Sequence, residues 1–130
     1  NRDALRSMLQ AGDADDRIDA LAYIYRKKLD VGAFADLHEI ARRPDLRERC
    51  WLAKALSVSR NPDTIPVLLA LLDDPQVNVA YQACHALGKR GDRRGIDALR
   101  ELIGRSREWY VQLYAYRALR RLGWHQTGSG

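Results

Sequence analysis

The chain has 130 residues, 46% of them hydrophobic and 30% charged, with a formal net charge of +5. That length suits one domain able to bury roughly two-thirds of its unfolded surface without cross-links. No apolar run approaches the roughly 20 residues of a membrane span, and two cysteines are too few for a disulfide framework, which points to free thiols, a reducing compartment and a cytoplasmic location.

In chain order, Leu5 and Met8 mark a first helix near 3–10 that should stop at Gly12. Asp13, Asp15, Asp16 and Asp19 crowd the start of a second, near 15–28, where acids favour the helix dipole and read as a solvated cap. Leu37 and Ile40 mark a third near 32–42, and Arg47–Leu56 a fourth near 45–58. Asn61 as N-cap with Pro62 as first helical residue opens a fifth near 62–72; Asp74 with Pro75 repeats the device for a sixth near 75–89, which Gly91 ends. A seventh near 93–103 should stop at Gly104, and an eighth runs near 107–122. No segment alternates as a strand would, so the chain is expected to be all-α.

The elements repeat. DDRIDALAYI (Asp15–Ile24), RERCWLAKAL (Arg47–Leu56), NVAYQACHAL (Asn78–Leu87) and YVQLYAYRAL (Tyr110–Leu119) superimpose, ending at steps of 32, 31 and 32 residues. Upstream, Leu5, Leu37, Leu68 and Leu99 recur at steps of 32, 31 and 31, each followed three residues later by Met8, Ile40, Leu71 or Leu102. Each unit is therefore a helix pair that cannot bury its apolar face alone, so neighbours must stack. The expected architecture is a right-handed α-solenoid, an α-α superhelix of four pairs at about 1–29, 30–60, 61–91 and 92–124, forming one domain over 1–124. Residues 125–130, which hold His125 and end Gly-Ser-Gly, read as a disordered tail of expression origin.

The stretch IPVLLALLDDPQVNVAYQACHALGKRGD, Ile65–Asp92, with its Leu-Leu-x-Asp end, turn, Val, small-residue Ala pair and Ala-Leu-Gly, resembles the HEAT-like repeat of the phycobilisome-lyase type. The resemblance implies a scaffold, a regulatory appendage or a chromophore-handling subunit. In that family Arg often follows the Val of the second helix. Arg17 and Arg49 match, while Ala80 and Gln112 do not, so the polar ladder between repeats should be incomplete.

Such repeats line their concave wall with the second helices. Counting Glu48, Val79 and Val111 as position 1, positions 5, 8, 9 and 12 should be core and positions 3, 6, 7 and 10 the solvent ridge. That ridge reads Ile18, Leu21, Ala22 and Tyr25; Cys50, Ala53, Lys54 and Ser57; Tyr81, Cys84, His85 and Gly88; Leu113, Tyr116, Arg117 and Arg120. It mixes aromatics, aliphatics and cations without one acid, which is the composition of an interface. Lys54, Tyr81, His85, Leu113, Tyr116, Arg117 and Arg120 are the candidate partner-binding residues, with Lys54, His85 and Arg117 forming a basic stripe. Trp51 and Tyr114 are assigned to packing between repeats.

A protein partner is the first expectation. Residues 66–130 carry 10 Lys/Arg against 6 Asp/Glu, which leaves nucleic-acid binding as the alternative, and a lyase-like subunit holding a prosthetic group as a third. No membrane association and no cofactor are expected. Cys84 beside His85 with Cys50 one repeat earlier does not complete a metal site, and His38 reads as a structural, partly buried histidine. With no phosphate loop, nucleophile elbow or His-Glu-x-x-His run, the chain is not expected to be an enzyme.

Overall fold

The computed structural model describes residues 1–124; the expected tail lies outside the described residues. The helices are α1 (Arg2–Ala11), α2 (Ala14–Lys27), α3 (Leu37–Ala41), α4 (Leu46–Leu56), α5 (Ile65–Leu71), α6 (Val77–Arg90), α7 (Arg94–Arg105) and α8 (Trp109–Arg121). Short 3₁₀ turns occupy Val31–Ala33 and Pro62–Thr64, and there is no strand among the described residues.

Local chemistry sets the helix ends. The Asp13 carboxylate accepts the Asp16 N–H at 2.9 Å while the Asp16 carboxylate accepts the Asp13 N–H at 3.2 Å, a reciprocal capping box that gives two of the acidic cluster a structural task. α6 closes on Gly91 in the left-handed region, φ 74°. Gly104 does not stop α7, which continues to Arg105 and caps on Ser106.

The first helices of the second and third pairs are shorter than periodicity predicts. In the second pair Asp30 accepts the Gly32 N–H and Asp36 the His38 N–H, so one stretch becomes a 3₁₀ turn followed by the five-residue α3. In the third, Pro66 has no N–H to offer the Pro62 carbonyl, which takes the Ile65 N–H and the Arg94 guanidinium (2.8 Å) instead, so a 3₁₀ turn leads into α5. Asp74 is not an N-cap. α6 starts at Val77 behind Gln76, and Asp74 faces Arg49 while accepting the Gln76 N–H.

The core follows the repeat. Ile24, Leu56, Leu87 and Leu119 are fully buried, as are Leu68 and Leu99 from the upstream series. Each first helix packs on its second, α3, α5 and α7 line up beside one another, and α2, α4, α6 and α8 form a second layer with the more extensive contacts. This two-layer stack of helix pairs is an α-solenoid.

Polar pins join successive pairs. Arg17 donates to Glu48 at 2.6 and 3.0 Å and to the Gly12 carbonyl, with the Glu48 side chain wholly buried. Arg49 repeats the motif one pair later, donating to Asp74 at 2.7 and 3.1 Å and to the Arg43 and Pro44 carbonyls. The carboxylate in each pair raises the pKa of its arginine. At the third interface Ala80 replaces the arginine, and the ladder stops as the sequence predicts. Elsewhere, Asp30 gathers Ser59 and Asn61, while Arg90 clamps the Leu56 and Asn61 carbonyls and the Thr64 hydroxyl.

Candidate interaction face of the second helices

α6 and α8 approach closely because the facing residues are small. A Cβ built on Gly88 would lie 3.1 Å from the Ala118 Cα. The two helices therefore bring Tyr81 against Tyr114, ring centroids 4.4 Å apart at 67°, an edge-to-face pair. Tyr81, His85 and Arg117 are exposed around it, with Leu113 on the next turn of the same side; Tyr81 and Leu113 are each 40% exposed. A groove of about 180 Å³ between the helices is lined by Tyr81, His85, Tyr114, Arg117, Ala118 and Arg121. A second, of about 160 Å³, shares Tyr81 and His85 and extends over Tyr25, Lys54, Ser57 and Gln82.

Aromatic rings support the cations of this face. Lys54 lies 4.5 Å above the Trp51 ring, Trp51 meets Tyr25 edge-on at 6.1 Å, and Lys89 sits over Tyr25 at 5.7 Å. Trp51 and Tyr114 bridge neighbouring repeats, as expected from position 4. Partial desolvation, with Arg121 and Lys89 nearby, lowers the pKa of His85. Lys54, Lys89, Arg117, Arg120 and Arg121 form no ion pair with a carboxylate of the described residues.

The expected ridge is rotated from the observed face. Leu21, Ala53 and Cys84, all at position 6, are fully buried, and Ser57 and Gly88 at position 10 are buried as well. A second helix in a stack is covered by its own first helix and by the second helices on both sides, so positions 6 and 10 face the next pair. The open face is centred instead on positions 3, 7 and 11, about 50° further round at 100° per residue.

Two candidates move as a consequence. Tyr116 is half-buried, its ring edge-on to Trp124 at 5.9 Å, and Arg120 lies on the same side of α8, turned away from α6 and outside both grooves. Lys54, Tyr81, His85, Leu113 and Arg117 are on the face, with Lys54 half-buried. Lys89 and Arg121, both at position 11, are the residues that the misplaced ridge omits. The face is not wholly free of acids, since Asp19 is exposed at position 4 of α2.

The discounted sites stay separate from this face. Cys84 is buried and its thiol is pushed up to about 12 by desolvation; Cys50 is half-buried with its thiol also raised, chiefly by burial, and both are free. His38 is exposed in the first turn of α3 rather than partly buried. Among the described residues no cluster of three or more His, Cys, Asp or Glu could hold a metal, and no helix is long and apolar enough to cross a membrane.

A layer of exposed second helices over a layer of first helices is the build of a repeat scaffold. A family model for HEAT repeats matches residues 34–120, and the chain belongs to that family. No curated protein matches the chain.

Proposed function

We propose that the chain is a non-enzymatic protein-interaction module that holds a partner against the open face of its second helices, with Lys54, Tyr81, His85, Leu113 and Arg117 in contact. The observation that carries this is the exposed aromatic and cationic surface along α6 and α8, where Tyr81 and Leu113 stand open beside Arg117. Such side chains bury much area at little entropic cost and anchor interfaces. HEAT repeats commonly scaffold protein assemblies, which supports the same reading. Within that family, the Ile65–Asp92 motif resembles repeats of the phycobilisome-lyase type, and colour in the purified protein would point to a prosthetic group in place of the partner.

The test is affinity capture with a photo-cross-linker beside the face, comparing wild type with Tyr81→Ala/Arg117→Ala. Capture should be lost, while stability falls only by the lost aromatic pair, about 0.5–1.5 kcal/mol. Undiminished capture overturns the proposal. The unpaired Arg117, Arg120 and Arg121 favour nucleic acid as a second reading, which predicts a complex that dissolves steeply with salt.

A further inference from the structure

The two grooves on the second-helix face are part of a longer trough. The second of them shares Ser57 with a hollow of about 620 Å³ where α2, α4 and α6 end, lined among others by Lys28, Arg60, Lys89 and Arg90. The one carboxylate lining the three is Asp92, which Arg94 binds through two nitrogens at 3.0 and 2.8 Å; that pairing lowers its pKa to about 2. Cations therefore line the trough on every helix it crosses, Lys28 at the end of α2, Lys54 on α4, Lys89 on α6, Arg117 and Arg121 on α8, and no carboxylate of the described residues pairs with them. Between them the floor is aromatic, Tyr25, Tyr81 and Tyr114.

Spacing adds a constraint. Packed helices lie roughly 8–10 Å apart, so Lys54 and Arg117, which share a register on α4 and α8 with α6 between them, stand about two such intervals apart, while Lys89, one turn further along α6, extends over Tyr25. A polyproline-II segment advances about 3.1 Å per residue with three residues per turn, which puts every third side chain on one face at about 9 Å. We propose that the trough holds an extended acidic segment of a partner protein with Glu or Asp at every third position, the carboxylates meeting Lys54, Lys89 and Arg117 with Arg121, and the residues between lying on Tyr81 and Tyr114. This rests on the reading of the second-helix face as a protein-binding surface and names its ligand.

Fluorescence anisotropy with short labelled probes tests it: a peptide with Glu at every third position, the same composition with the Glu clustered at one end, the Glu→Gln counterpart, and a single-stranded oligo-dT. The spaced peptide should bind at least about tenfold more tightly than either peptide control. Arg117→Glu and Arg121→Glu should each weaken it about tenfold, while Arg107→Glu, an equal charge change on an exposed residue off the trough, should not. Circular dichroism melts confirm that each variant is folded. Equal binding of the Gln or clustered peptide, or no binding of any peptide, overturns the inference. If the Gln peptide binds and Tyr81→Ala abolishes it, the face is a peptide site with another ligand, so the inference fails and the broader proposal stands. Tighter binding of oligo-dT, collapsing with salt, removes both.

Discussion

Glu48 is a carboxylate buried in a helical stack, kept there by a guanidinium that also satisfies a helix-end carbonyl. Its charge is tolerable only while Arg17 is present. Arg17→Met should therefore lower stability by about 3–5 kcal/mol, whereas Arg17→Met combined with Glu48→Leu should recover most of the loss, because the second change removes the stranded charge. Chemical denaturation of the two variants checks this, and a double variant no more stable than the single one would contradict it. The sequence shows Arg17 and Arg49 as places in a ladder, yet their acceptors come from different registers, Glu48 inside a helix and Asp74 ahead of one. Asp74 next to Pro75 reads as an N-cap because the sequence cannot show that Arg49, 25 residues away, occupies both its oxygens.

At the scale of elements, the same point in three pairs adopts a left-handed backbone: Lys28 at φ 56°, Gly91 at 74° and Gly123 at 85°. Only Lys28 carries a side chain there, at a steric cost that glycine avoids. Lys28→Gly is expected to raise stability by about 0.5–1 kcal/mol, and Gly91→Ala to lower it by about 1–2, although a Cβ on Gly91 would meet nothing within 4 Å. Thermal melts of the pair read the two signs, and a stabilising Gly91→Ala would contradict the backbone argument. The helices themselves were legible because apolar residues at i, i+3 and i+4 keep phase over four units. The interaction face was less so. A lone amphipathic helix has one buried stripe, but a second helix within a stack is covered on three sides, which hides Cys84 and Ala53 and moves the open face to Lys89 and Arg121.

Across the whole molecule, the proposed binding trough depends on how α6 and α8 are joined. One wall carries Tyr81 and His85, the other Tyr114, Arg117 and Arg121, and the gap between is set by Gly88 against Ala118. Gly88→Leu should drive the helices apart, costing about 1–3 kcal/mol as overpacking and weakening the spaced acidic peptide although no contact residue has changed. Melting and anisotropy on one sample measure both effects; intact affinity with reduced stability would separate the trough from the seam. The seams also differ in kind. Those from α2 to α4 and from the α4 layer to the Asp74 turn are locked by directional ion pairs, which resist one pair sliding over the next. The seam from α6 to α8 has close, small-residue contacts and a tyrosine pair, which resist separation more than sliding. Under a shearing load the layer of second helices would thus slide most readily between α6 and α8, where the ligand is proposed to sit, while Arg105 on Asp73 and Arg94 on the Pro62 carbonyl tether the last pair from its first-helix side.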